Sequence, residues 1–148
     1  MTPMPAGITG PDEAFDQTVW NILGQTYTLK QVSEDSMSWH AHFPDGTFVP
    51  PHIHFTQEEF VYVLTGTLTF WLDGTEFQAG PGSLARLPRN VPHGIFNRSG
   101  ADVTCLFWVT PTRGLLDAFK LMHNQSEPAE VVRIASQYEL EFLPPPAA

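Results

Sequence analysis

The sequence predicts an all-β sandwich or barrel closed on one hydrophobic core, and three observations predict it. Short runs of β-branched and aromatic residues recur about every eight to twelve positions. Turn signals (PDG, TG, DG, GPG, PRN, RSG) separate those runs, and most of them carry apolar residues at every second place. At 148 residues the chain fits a single domain, so one site is expected.

Residues 1–18 read as an N-terminal arm, because positions 1–14 are rich in proline, glycine and small residues with little apolar period. Strands are expected over 19–23, 26–32, 37–43, 51–54, 59–64, 67–72, 75–78, 83–86, 93–97 and 102–109. The LDGTE step at 72–76 predicts a tight hairpin. Helical spacing is found only in TRGLLDAFKLMHN, 112–124, where Leu115, Leu116, Phe119 and Met122 form one stripe suited to capping the sandwich. Residues 19–125 are therefore the domain proper. Residues 126–148 are a C-terminal extension whose PPPAA end, 144–148, reads as loosely as the arm.

Sixteen acidic residues against seven basic ones give a formal charge of −9, and no basic stripe interrupts that balance. Nucleic acid and anionic membrane are excluded as partners, since nothing here neutralises a run of phosphates. The lone cysteine, Cys105, lies in the apolar run VTCLFWV, which predicts a buried inert thiol and no disulfide framework. The opening MTPMPAGITG has no basic region followed by an apolar one, and no apolar stretch approaches the roughly 18 to 20 residues that span a bilayer. A cytoplasmic location is the expectation.

The chemistry concentrates in PPHIHFTQEEFVYVLTG, 50–66. In an extended segment His52 and His54 face one way with Ile53 between them, so the two imidazoles can share a metal. Pro50 and Pro51 remove backbone donors, which suits an edge or entry position. Glu59 shares a face with Val61 and Val63, placing a carboxylate among core groups where it needs a partner. Glu58 alternates outward to the rim with Phe60 and Tyr62. His93 begins the strand after LPRNVP, and three imidazoles with one carboxylate suffice for a divalent metal with open positions.

These residues resemble the two signature motifs of the cupin superfamily. Gly46, His52, His54, Glu59 and Gly66 match the first at every spacing. Gly82, Pro88, His93 and Asn97 match the second, with Asn90 standing where the motif has glycine. Asparagine tolerates the left-handed backbone better than other non-glycine residues, so the turn is expected to keep its shape. The resemblance covers roughly residues 20 to 110. It implies a double-stranded β-helix, or jelly roll, with the metal inside one mouth, held at His52, His54, Glu59 and His93. Within the superfamily PPHIH, EEFVYVLTGTLTFW and LPRNVPHGIFN are most similar to small single-domain proteins related to quercetin 2,3-dioxygenases.

Such a ligand set leaves two positions of an octahedron open and suits iron(II), manganese(II), nickel(II) or zinc(II), among which the sequence does not choose. The reading that follows is a dioxygenase-like oxidoreductase acting on a small aromatic or enolic substrate, with Glu59 as ligand and catalytic proton acceptor. A metal-assisted isomerase, cyclase, decarboxylase or lyase that consumes no oxygen stays open, as does a non-enzymatic small-molecule-binding cupin. Phe48, Val61, Val63, Phe70, Ile95 and Phe107 are expected to wall the substrate pocket. His40 and His42, a second His-x-His without a carboxylate at ligand spacing, are expected to face solvent, and Arg86 and Arg89 to flank the mouth. Cupins of this size commonly pair through sheet edges, so a homodimer is expected.

Overall fold

In the computed structural model, which describes residues 4–143, alternation in the sequence becomes alternation in burial. After a short 3-10 turn, Phe15–Gln17, the strands are β1 (Val19–Ile22), β2 (Gln25–Val32), β3 (Met37–Phe43), β4 (Phe48–His54), β5 (Glu58–Thr65) and β6 (Leu68–Leu72). They continue as β7 (Thr75–Ala79), β8 (Leu84–Leu87), β9 (His93–Phe96) and β10 (Val103–Thr110). Two helices, α1 (Leu115–Met122) and α2 (Pro128–Ser136), precede β11 (Leu140–Phe142). The first ten strands fall where the pattern of apolar residues places them.

Antiparallel pairing assembles two sheets, one in the order β1-β2-β3-β10-β5-β8 and the other β11-β4-β9-β6-β7. Between them Trp39, Phe43 and Phe107 stack, with Trp39 and Phe43 ring centroids 5.2 and 6.0 Å from that of Phe107. Leu29, Met37, Val61, Val63, Leu68, Phe70 and Cys105 are buried around this stack. Burial of apolar surface of this kind is what stabilises the two layers against each other. The hairpin at 72–76 forms as expected: Leu72 pairs with Thr75, while Asp73 (φ 46°) and Gly74 (φ 97°) take the left-handed conformations of a two-residue turn. Asn90 adopts φ 65°, which is how asparagine stands in for glycine there. At Gly66 a side chain is excluded by space as well as by φ, since a Cβ would meet Val103 Cγ2 at 2.7 Å.

Two expectations about the chain ends change. The arm is fastened to β2, because Lys30 Nζ donates to the carbonyls of Gly10, Pro11 and Glu13, and Thr9 Oγ1 donates to the Lys30 carbonyl. The extension from residue 126 carries α2 and β11. Pro128 starts α2, whose Val131, Ile134 and Ala135 are buried, and Leu140, Glu141 and Phe142 pair with His54, Ile53 and His52 of β4. The helix expected over 112–124 is confined to Leu115–Met122, with Leu115, Ala118, Phe119 and Met122 inward. Residues 1–3 of the arm and the PPPAA tail, 144–148, lie outside the described residues. No helix among the described residues is long and apolar enough to cross a membrane.

Candidate metal centre

The four groups singled out by spacing meet in one place although they come from three strands and both sheets. His52 and His54 project inward from β4, His93 sits opposite His52 on β9, and Glu59 reaches across from β5. All four are buried, and one ligand atom from each lies within 4.8 Å of the others, a span that a single ion can bridge.

The outward face of each imidazole is already committed. His52 Nδ1 donates to the Pro50 carbonyl at 2.7 Å, and His93 Nδ1 donates to the Val91 carbonyl at 3.2 Å. His54 Nδ1 lies 2.9 Å from Gln57 Oε1. The Gln57 amide cannot be turned round, because its Nε2 donates to the carbonyls of Pro111 and Thr112 at 3.0 and 2.6 Å. His54 Nδ1 is therefore also a donor, and in the neutral rings each Nε2 is left as a lone pair.

That arrangement opposes acceptor to acceptor. Glu59 Oε2 stands 3.0 Å from His93 Nε2 and 3.4 Å from His54 Nε2. Lone pairs facing a buried carboxylate require positive charge between them. Without a metal, a proton on His54 supplies it: burial opposes the charge, but Glu59 and Gln57 outweigh burial and raise His54 above the ordinary 6.5. Burial alone would raise Glu59, yet His54 and His93 hold its carboxyl far below the usual carboxylate range. Burial, then the charges His93 and His54 would carry, keep His52 well below 6.5 and hence neutral. A divalent cation satisfies all four groups at once, so the residues present fit such an ion. Imidazole nitrogen with one carboxylate oxygen suits iron, manganese, nickel or zinc alike.

Beside these ligands is a cavity of about 50 Å³. Of the residues expected to wall it, Ile95 and Phe107 do so, while Val61, Val63 and Phe70 are buried in the core away from its lining. Phe48 is a correction: it is 47% exposed and stacks on Phe96 at the surface. The cause is a register shift between Val49 and His52, where Pro50 and Pro51 interrupt the ladder and invert the alternation. Val49 faces the cavity in place of Phe48.

The wall also takes Tyr27 and Trp39 from β2 and β3, Phe119 and Met122 from α1, and Leu140 and Phe142 from β11. The α1 stripe was legible as a cap; the β11 contribution was not, because the strand is three residues long. Glu58 is exposed, as are Arg86 and Arg89, and none of the three lines the cavity. His40 and His42 lie half-buried on the outer face of β3, where His42 Nε2 is 3.0 Å from Asp102 Oδ2. Burial, with Glu59 nearby, pushes the Cys105 thiol well above its ordinary range, so it stays protonated and inert. Asn97 of the second motif is structural: Nδ2 donates to the carbonyls of Phe43 and Ala101 at 2.9 and 2.8 Å.

Comparison with known proteins agrees with this architecture. Residues 39–109 match the cupin domain family. The structure of KdgF from a Halomonas species superposes with a TM-score of 0.66 at 19% identity, over 76% of this chain and 99% of that one. An RmlC-like cupin from Shewanella frigidimarina gives 0.66 at 17% identity, over 76% and 97% of the respective chains. A sugar phosphate isomerase of the cupin superfamily from Silicibacter pomeroyi gives 0.55 at 26% identity, over 59% of each chain. No curated protein matches.

Proposed function

From the premise that this chain is a member of the cupin superfamily, we propose that it is a metal-dependent, dioxygenase-like oxidoreductase acting on a small enolic or hydroxy-ketone substrate. One observation carries the reading: the Nδ1 of His52, of His54 and of His93 is tied outward, which aims three Nε2 lone pairs and the Glu59 carboxylate at one point beside a largely apolar cavity. His52, His54, Glu59 and His93 would hold the ion. When bound, it supplies Lewis acidity and, if redox-active, the electron exchange that oxygen chemistry needs. Glu59 is the one carboxylate among the residues that line the cavity, so it is the group placed to take a proton from an enol. The aliphatic and aromatic wall excludes water from that exchange.

Size narrows the substrate. A cavity of roughly 150 Å³ holds benzene, and this one, at about 50 Å³, admits a few heavy atoms. An aromatic substrate therefore requires α1 and β11 to draw back, whereas a small enol fits the closed form. Likeness to the sugar phosphate isomerase from Silicibacter pomeroyi favours a second reading, an oxygen-independent isomerase. Against a phosphorylated sugar, the cavity lining contains no lysine or arginine.

The test is anaerobic removal of metal and reloading with iron, manganese, nickel or zinc, followed by oxygen-electrode assays on small hydroxy-ketones and on flavonols. Oxygen uptake only after loading with a redox-active ion is the expected result. Turnover under strict anaerobiosis would move the assignment to the isomerase reading, and silence in every arm to a binding protein.

A further inference from the structure

One buried donor of the cavity wall is left without a partner. Trp39 is 1% exposed, and its indole Nε1 has no hydrogen-bond acceptor within reach. Among the described residues the other buried side-chain atom in this condition is Gln31 Oε1, an acceptor that does not line the cavity. Buried N–H groups are seldom orphaned, because the lost hydration is not repaid.

Three rings hold the indole in place. Phe107 stacks on it at 5.2 Å, Phe119 meets it edge-on at 5.1 Å and 89°, and Tyr27 lies 6.0 Å away. The Tyr27 hydroxyl, which donates to Gln25 Oε1 at 2.9 Å, does not come within hydrogen-bond reach of the indole N–H. All three rings line the same cavity as His52, His54 and Glu59.

We infer that the Trp39 indole N–H is a second anchor for the substrate, donating to an oxygen of a small ligand whose other end meets the histidine and glutamate cluster. The placement of that other end rests on the function proposed above; the donor at Trp39 does not. The ligand class is then a compact ketone, enolate or carboxylate of a few heavy atoms, apolar apart from its oxygens, as the cavity of about 50 Å³ and its apolar wall require. Selectivity follows from the orphan itself: an isostere lacking the acceptor leaves the N–H buried and unpaired.

Acetone is the probe. In ¹⁵N-labelled protein, the Trp39 Nε1–H resonance is identified by its loss in Trp39→Phe, then followed during acetone titration of the metal-free and zinc-loaded forms. A saturable shift of that resonance in both forms is expected. Replacing Trp39 with β-(3-benzothienyl)alanine, which keeps the ring shape and lacks the N–H, is expected to weaken acetone binding about five- to tenfold and to leave zinc affinity unchanged. A Trp39 resonance that does not respond to acetone overturns the inference. So does equal acetone affinity in the benzothienyl protein, which would assign the N–H to the face of the Phe119 ring. Failure of zinc to bind the unaltered protein would instead remove the metal reading while the metal-free arm still decides the role of Trp39.

Discussion

Each ligand histidine is set by a residue that touches no ion. For His52 and His93 that partner is a carbonyl two residues earlier, so the strand supplies the tautomer locally. For His54 it is Gln57, held by carbonyls 54 and 55 residues away in sequence. Gln57→Leu is expected to weaken metal binding by about 10- to 100-fold, as loss of such outer partners does, read by zinc titration calorimetry. His93→Ala should abolish the binding; undiminished affinity in that variant would break the four-ligand proposal. The cluster also predicts the pH response of the metal-free protein. His52 lies well below its unfolded value of 6.5, so its contribution to stability is present above that pH and lost as pH falls beneath it. Glu59 acts in the same direction below its unfolded 4.5, whereas the raised His54 stabilises at low pH and loses that contribution as pH rises. Through the depressed His52, thermal midpoints of chelator-treated protein should drop below about pH 6.5, and His52→Gln should flatten the drop. His52, His54, Glu59 and His93 were legible from spacing because strand period places them. Gln57 was not, because nothing local marks its partners.

Two elements govern what surrounds those groups. The register shift at Pro50 and Pro51 turns Phe48 out and Val49 in, and strict alternation read across it puts the wrong residue in the wall. Strand β11 adds an edge to β4 directly beside His52 and His54, and brings Leu140 and Phe142 over the cavity. Deleting residues 126–148 is expected to lower the thermal midpoint and to speed removal of bound metal by a chelator, since an edge with two ligand histidines then faces water. Unchanged chelation kinetics would show that β11 does not shield the site. Strand β11 is not legible in the sequence because one buried residue in three gives too little period, whereas α2 does carry a short helix signal, Pro128 followed by Val131, Ile134 and Ala135 at i, i+3 and i+4, with one buried residue fewer than α1.

At the scale of the molecule, the site exists because two sheets close on each other. Three ligands belong to the five-stranded sheet and Glu59 to the six-stranded one, so the cluster forms only when the sandwich does. Binding a metal to the folded form alone must then raise the unfolding midpoint with metal concentration, a dependence that melting curves at graded zinc would reveal. We also propose the homodimer expected from the sheet edges. Next to edge strand β8, the outer faces of β5 and β8 expose Tyr62, Leu64 and Leu84, beside a stacked Phe60 and Trp108. Light scattering across a dilution series should give a dimer mass, and a monomer at every concentration would refute it. By itself the sequence determined the first ten strands, the hairpin at Asp73 and Gly74, and the four candidate ligands, because each depends on a period of two or on a left-handed turn that its own residues declare. Only the tertiary structure decided the tautomer of His54, which aromatic rings wall the cavity and how small that cavity is. Those properties arise from contacts between residues tens of positions apart, and no local pattern encodes them.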